Sequence, residues 1–182
     1  TFLDSDDKLA DDAMEKAVQY FDAHEDVFVA AIGIRYFDAY EGEQRLNWRF
    51  EKTDVVDIKK NYTYPHYYVG GVFLSHAVLD ELHFDESLSF WEDALAVNQV
   101  IVSQGKYGLI AGTHYYYRKR EDESSLVDTA WHKKERYTTL LSSGYGQLFA
   151  YSRKKHHRII PYVQYMVAYH MRLMMMKSKQ SI

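Results

Sequence analysis

The chain begins with Thr1-Phe2-Leu3-Asp4-Ser5-Asp6-Asp7, a short apolar run that ends in a group of carboxylates. Alternate residues of a β-strand share a face, so a strand over this run would place Asp4 and Asp6 side by side. Carboxylate oxygens are the ligands that hard divalent cations prefer. The opening residues therefore predict a metal-binding strand end. The alternative is that these acids only favour the amino terminus of a following helix.

Outward from this stretch, helical and strand patterns alternate along the chain. The predicted elements are helix 7–21, strand 27–37, strand 45–50, helix 54–62, strand 72–74, helix 76–82, helix 91–103, strands 107–111 and 114–118, and a helical tail interrupted near 142–146 and at Pro161. This order predicts an α/β fold in which helices flank a mixed sheet and a helical extension follows.

The composition fits one domain with a substantial core. The 182 residues are 47% hydrophobic and 16% aromatic, which provides enough apolar surface to bury. The absence of cysteine excludes disulfides, thiolate metal sites and cysteine nucleophiles. No apolar run reaches the roughly 18 residues of a membrane-spanning helix, and no signal-peptide pattern opens the chain. We therefore expect a cytoplasmic location, with peripheral contact to the inner membrane face as the alternative.

Charge divides the sequence into an acidic body and a basic tail. From His132 onward there are ten Lys or Arg residues and one acid, Glu135. We place the boundary so that 1–126 form the body and 127–182 a basic helical extension. This extension could dock on the body, form a homo-oligomer or face anionic lipid. Nucleic acid is not expected, because the body is acidic and carries no nucleic-acid-binding motif.

Four motifs occur in a succession that is more specific than any one of them. They are Phe2-Leu3-Asp4-Ser5-Asp6-Asp7, Val69-Gly70-Gly71-Val72-Phe73, Phe84-Asp85-Glu86 followed by Trp91-Glu92-Asp93, and His114-Tyr115-Tyr116-Tyr117-Arg118-Lys119-Arg120. Over about 1–125 this order resembles family 2 glycosyltransferases with the GT-A fold, especially bacterial enzymes that build capsule, teichoic-acid and other surface glycans. In that family the Asp-x-Asp strand follows a nucleotide-binding half. The resemblance thus implies the metal- and acceptor-side half of such a domain, without the amino-terminal half.

The resemblance implies a site for Mg²⁺ or Mn²⁺. Asp6 would be the direct metal ligand, and Asp4 would lie near the donor ribose or the water shell of the metal. His114 would be a further ligand, although a histidine at a strand start is commonly structural. Neutral imidazole can ligate a metal, and a bound cation would neutralise charge on a departing diphosphate.

Further residues are implied for the donor. Arg118 and Arg120 would bind the diphosphate, since guanidinium groups present a fork of donors to phosphate. Gly70 and Gly71 would allow the backbone to approach the donor sugar, although a plain turn explains two glycines equally well.

By the same resemblance, Asp93 would be the catalytic base and Glu92 would support it or orient the acceptor. Trp91 and Tyr67 would contact the acceptor. A helix amino terminus favours carboxylates, so the alternative is that Glu92 and Asp93 are ordinary first-turn residues. If Asp93 is the base and displacement is in line, the anomeric configuration inverts.

The expected function is transfer of a sugar from a nucleotide-diphosphate donor to a hydroxyl group of a surface glycan or a polyol-phosphate acceptor, which could be lipid-linked. The competing hypothesis is a noncatalytic glycan-binding or assembly module, or an inactive fragment of such an enzyme.

Overall fold

The structure is a computed structural model that describes residues 1–121 and 133–176. The strands are β1 (Lys8–Leu9), β2 (Val29–Asp38), β3 (Gly42–Glu43), β4 (Val55–Asp57), β5 (Val72–Leu74) and β6 (Lys106–Lys119). The α-helices are α1 (Ala13–Ala23), α2 (Glu92–Gln104), α3 (Tyr145–His156) and α4 (Pro161–Met175). Helical turns of 3₁₀ type lie at Asn47–Glu51, His76–Glu81 and Lys134–Tyr137, and a π-helical turn lies at Leu140–Gly144.

Two long parallel strands, β2 and β6, form the centre of one mixed sheet. The outer edge of β6 pairs antiparallel with β4 near its start and with β1 near its end. The outer edge of β2 pairs antiparallel with β5 and β3 in the same manner. The predicted α/β fold, with a mixed sheet flanked by helices and followed by helices, is therefore confirmed.

The two faces of the sheet bury two separate cores. On one face, Ala30, Ile32 and Ile34 of β2 pack with α1. On the other face, Val29 and Ala31 join a larger core that includes α2, α3 and α4. This division follows from the strand period of two, which sends neighbouring residues to opposite faces.

Several predicted elements match the structure closely. Strand 27–37 corresponds to β2, strand 72–74 to β5 and helix 91–103 to α2. The tail is interrupted at the predicted places, since α3 follows the π-helical turn and α4 begins at Pro161, a first-turn position that proline favours. The two strands predicted near 107–118 are one strand, β6, whose register with β2 shifts between Ile32 and Gly33.

Other predicted elements are wrong. Helix α1 begins at Ala13 rather than at residue 7, because Lys8 and Leu9 pair with β6. The strand predicted at 45–50 is largely a 3₁₀ turn, in which the side chain of Asn47 exchanges hydrogen bonds with the backbone of Ile34. The helix predicted at 54–62 begins instead as β4, because pairing with β6 overrides local helical spacing.

Helix α4 packs directly on the body of the protein. The hydroxyl of Tyr162 donates to Oδ1 of Asn98 on α2 at 2.8 Å, and the hydroxyl of Tyr67 donates to the carbonyl of Met166 at 2.7 Å. The boundary predicted between 126 and 127 lies outside the described residues. Within the described ranges, no helix is both long and apolar enough to cross a membrane.

Candidate active site

The three opening carboxylates lie together beside the end of β6. Asp7 accepts hydrogen bonds from the backbone amide of Arg118 at 2.8 Å and from the hydroxyl of Tyr115 at 2.7 Å. Burial raises the pKa of Asp7, those two hydrogen bonds lower it, and the charges of Asp4 and Asp6 raise it further. The mutual repulsion indicates that the three acids are close neighbours. They precede a strand, so they do not form the first turn of α1.

The predicted diphosphate-binding cations lie next to these acids. Arg120 contacts Oδ2 of Asp6 through Nη2 at 2.6 Å, and Arg118 donates through Nε to Oδ2 of Asp38 at 2.6 Å. All four side chains keep solvent exposure, and exposed ion pairs contribute little to stability. A phosphate that binds the arginines, or a cation that binds the acids, could therefore break these ion pairs at a small cost in free energy.

A shallow depression of about 300 Å³ lies at this end of the sheet. It is lined by Asp6, Lys8, Phe37, Asp38 and Arg118. Residues 37, 38 and 118 are at the carboxyl ends of the parallel strands β2 and β6. That is where parallel sheets usually bind ligands.

His114 is not brought to the carboxylates. It precedes Arg118 by four residues on β6, a separation of about 13 Å along a strand. Burial and then the charge of Arg35 lower the pKa of His114, while the charges of Glu43 and Asp12 raise it. Across the described ranges, no group of three or more His, Asp or Glu residues is placed to hold a metal ion.

Asp93 is at the first turn of α2, where its carboxyl is enclosed by protein although the residue keeps some exposed surface. Burial raises the pKa of Asp93 to about 7. The backbone amide of Ala94, 2.6 Å from Oδ1, lowers it, the charge of Glu92 raises it, and the backbone amide of Val69 lowers it. A carboxyl with this pKa is poised to exchange a proton near neutrality.

Two further polar atoms at the start of α2 are buried without a hydrogen-bond partner among the described residues. They are Nε1 of Trp91 and Oε2 of Glu92. Buried polar atoms are nearly always paired in folded proteins, so unpaired ones indicate strain or a missing ligand. Trp91 also has a positive φ of 67°, which is uncommon for a bulky residue.

The carboxyl-terminal helices hold Trp91 in this conformation. Its ring lies edge-on to Tyr145 with centroids 5.0 Å apart, and it stacks on His170 at 5.9 Å. The hydroxyl of Tyr145 lies 2.6 Å from Nδ1 of His170. Helices α3 and α4 therefore support the segment that carries Glu92 and Asp93.

The two parts of the predicted site are connected through Gly70. Phe2 forms a parallel bridge with Gly70, which follows Val69, the amide partner of Asp93. A Cβ atom on Gly70 would lie 2.9 Å from the ring of Tyr115, and Gly71 has a φ of +72°. These glycines permit the close approach of the Tyr115 ring, whereas the family resemblance implied that they approach the donor sugar. Asp93 is not among the residues that line the depression.

Sequence reasoning missed Tyr115 and His170. Tyr115 follows the predicted ligand His114, and strand alternation would have placed it on the opposite face, towards the sheet interior. His170 is in the predicted helical extension. It follows Met166, which is buried, by four residues, and this helical spacing indicates that both side chains lie on the same inward face.

The sequence is similar to two curated proteins of Bacillus subtilis (strain 168). It is 40% identical over 174 residues to "Minor teichoic acid biosynthesis protein GgaA", covering 94% of this chain and 39% of that protein. It is 32% identical over 170 residues to "Minor teichoic acid biosynthesis protein GgaB", covering 91% of this chain and 19% of that protein. The chain thus spans about two fifths and one fifth of the length of these relatives.

No protein-family model matches the chain. The two relatives nevertheless align with 94% and 91% of this chain. The resemblance to proteins of the teichoic-acid type is therefore confirmed, and the chain is a homologue of a segment of the minor teichoic acid biosynthesis proteins.

Proposed function

We propose that this chain is the metal- and acceptor-side part of a family 2 glycosyltransferase with a GT-A-like sheet. It would act in teichoic-acid-type polymer synthesis, transferring a sugar from a nucleotide-diphosphate donor to a hydroxyl of a glycan or polyol-phosphate acceptor. The observation that carries the proposal is the enclosed carboxyl of Asp93 at the first turn of α2, next to the buried and unpaired Nε1 of Trp91 and Oε2 of Glu92. Burial raises the pKa of Asp93 to about 7. The named relatives support the biosynthetic role.

In the proposed reaction, Asp93 takes the proton of the acceptor hydroxyl as that oxygen bonds to the anomeric carbon. The bond from this carbon to the diphosphate oxygen breaks, and the diphosphate leaves with the electron pair. Attack opposite the leaving group inverts the anomeric configuration. The unpaired Oε2 of Glu92 and Nε1 of Trp91 are suited to orient the acceptor through hydrogen bonds.

The acids near the depression fit Mg²⁺ or Mn²⁺ in their chemistry. Asp4 is exposed, and no described residue pairs with its carboxylate, while Asp6 is held only by an exposed ion pair. Magnesium is commonly bound by one or two carboxylates together with substrate phosphates, which suits this small donor set. Asp4 and Asp6 would hold the ion, and when bound it would offset charge on the diphosphate. Arg118 and Arg120 would contact the same phosphates after leaving their acidic partners.

A titration with Mn²⁺ and uridine or cytidine diphosphate tests this assignment. We expect nucleotide binding that requires the cation and that is lost in Asp6→Asn. Asp80→Asn serves as a control because Asp80 is an exposed acid on a distant 3₁₀ turn. Cation-independent binding that is equal in all variants would contradict the metal site. Absence of binding here combined with binding by a longer relative would favour the noncatalytic-module hypothesis for this chain.

A further inference from the structure

Aromatic rings form a continuous strip from the start of α2 along helix α4. Tyr67 and Tyr169 stack with centroids 5.9 Å apart and an interplanar angle of 23°. Tyr169 and Tyr165 stack at 6.2 Å and 30°, and Tyr165 meets Tyr62 edge-on at 6.4 Å. We call these four tyrosines the aromatic strip.

The strip is accessible, although it rests on the core. Tyr62 is 43% exposed, and Tyr67, Tyr165 and Tyr169 are partly exposed. Tyr165 and Tyr169 are four residues apart on α4, which places them on one face of the helix. A row of large rings that is partly exposed to solvent is unusual on a protein surface and indicates a binding role.

The inner end of the strip lies beside the candidate base. The ring of Tyr67 is 5.9 Å from that of His170, which in turn stacks on Trp91. Trp91 immediately precedes Glu92 and Asp93. Val69, two residues after Tyr67, also bonds Asp93 through its backbone, so the inner end of the strip and the candidate base belong to adjoining segments.

The charge around the strip suits an anionic ligand. Arg172 is exposed and follows Tyr169 by three residues, and helix α4 has no Asp or Glu. Lys59 and Lys60 lie three and two residues before Tyr62 and are exposed, and the only acid paired with them among the described residues is Asp57, 3.7 Å from Lys60. Cations thus flank both ends of the row of rings.

We propose that the aromatic strip binds successive sugar rings of a phosphate-containing glycan and directs the end of that chain towards Asp93. The C–H faces of sugar rings are apolar and pack on the negative face of an aromatic ring. Phosphates between sugars would meet Arg172 at one end and the two lysines at the other. The inference rests on the proposed function, since it names the acceptor class of that same site.

Equilibrium binding in the absence of donor tests the strip. The probes are a soluble sugar-phosphate oligomer and a glycerol-phosphate oligomer of equal charge that lacks sugar rings. We expect the sugar-containing probe to bind about tenfold more tightly, an increment that two stacking contacts can supply. Comparable affinity for both probes would overturn the proposal, because charge alone would then explain binding.

Paired substitutions separate ring stacking from general apolar contact. Tyr165→Leu combined with Tyr169→Leu should weaken the sugar-phosphate probe about tenfold, whereas Tyr165→Phe combined with Tyr169→Phe should stay within about twofold. Thermal unfolding of both double variants establishes that they fold. Unchanged glycan binding in the folded leucine variant would overturn the proposal. The proposal would also be overturned if the leucine variant kept its glycan binding but lost binding to anionic lipid vesicles, because the strip would then bind lipid.

Failure of the strip and failure of the proposed reaction are distinguishable. In Asp93→Asn, binding of the sugar-phosphate oligomer is measured without donor and does not require a proton acceptor. If this variant binds the glycan and also transfers sugar at the full rate, Asp93 is not the base. The proposal for the strip would then still stand.

Discussion

The hydroxyl of Tyr115 donates a 2.7 Å hydrogen bond to Oδ2 of Asp7 and lies 3.3 Å from the backbone amide of Asp4, which donates to it. The same ring occupies the space left by the missing side chain of Gly70. One tyrosine therefore ties the opening carboxylates to the loop that leads towards Asp93.

Tyr115→Phe should keep the packing against Gly70 and lose both hydrogen bonds. We expect the free energy of unfolding to fall by about 2 kcal/mol, because each of the two hydrogen bonds has a usual net value of about 1 kcal/mol. Mn²⁺-dependent nucleotide binding should weaken as well, because the carboxylates lose their anchor. Denaturant unfolding and nucleotide titration measure the two effects.

Tyr116→Phe is the control, because Tyr116 is the next residue of β6 and lies opposite Lys8 of β1, not opposite one of the three acids. Equal nucleotide binding by the two variants would contradict the positioning role of Tyr115.

Asp93→Asn should reduce sugar transfer by about 10²- to 10⁴-fold, the usual contribution of a general base. In the unmodified chain, transfer should rise as the pH passes through about 7, because burial raises the pKa of Asp93 to that value and only the carboxylate accepts a proton. The dependence of kcat/KM on pH measures this limb. A limb that persists unchanged in Asp93→Asn would assign it to another group.

The same residue predicts a pH dependence of stability. The pKa of Asp93 is higher in the folded state than in the unfolded state, so its stabilising effect is complete below about pH 3.8 and is lost as the pH rises through about 7. Asp93→Asn should therefore be more stable than the unmodified chain at pH 8, with the difference vanishing near pH 4. Denaturant unfolding at both pH values tests this, with Asp80→Asn as the exposed control. A constant difference between the two pH values would sink the explanation by burial.

The sequence predicted the elements whose pattern is set by their own residues. Helix α2 has apolar residues at regular helical spacing, and β2 is a long apolar strand, so both were located correctly. The predicted α/β class followed from the order of these elements. Asp6 lies beside the end of β6 and Asp93 at the first turn of α2, and their convergence on one cleft stays a prediction.

The sequence could not predict the elements that depend on distant partners. The segment around Asn47 and Arg49 alternates like a strand, yet both side chains turn inward and bond the backbone of Ile34 and Pro65, which are 13 and 16 residues away. Similarly, Val55–Asp57 has helical spacing and forms a strand only because β6 offers an edge. His114 shares a strand with Arg118, and the family resemblance implied a common site for them, but four residues of strand separate the two positions by about 13 Å.

Arg49 provides a test of such distant contacts. It is fully buried and donates to the carbonyls of Leu46 and Pro65 and to the hydroxyls of Tyr107 and Tyr68. Lysine cannot reach four acceptors from one nitrogen, so Arg49→Lys should lower the free energy of unfolding by about 3 kcal/mol. The exposed Arg45 is the matched control, and Arg45→Lys should change stability by less than about 0.5 kcal/mol. Denaturant unfolding that gives equal values for the two variants would contradict the proposed anchoring of the 65–68 segment.

His170 links the acid stability of the protein to the support of Trp91. Burial lowers the pKa of His170 to about 3, with the charge of Arg136 acting in the same direction. The folded pKa is below the unfolded value of about 6.5, so the stabilising effect of neutral His170 is present above pH 6.5 and is lost as the pH falls towards 3. His170→Gln removes this titration and should make the loss of stability on acidification shallower, by up to about 1.4 kcal/mol per pH unit. Denaturant unfolding between pH 7 and 4 measures the slope, and His83→Gln, at an exposed histidine, should leave it unchanged. If the free energy of unfolding has the same slope against pH in both variants, protonation of His170 does not limit acid stability. The contact between His170 and Tyr145 would then have to tolerate a charged imidazole.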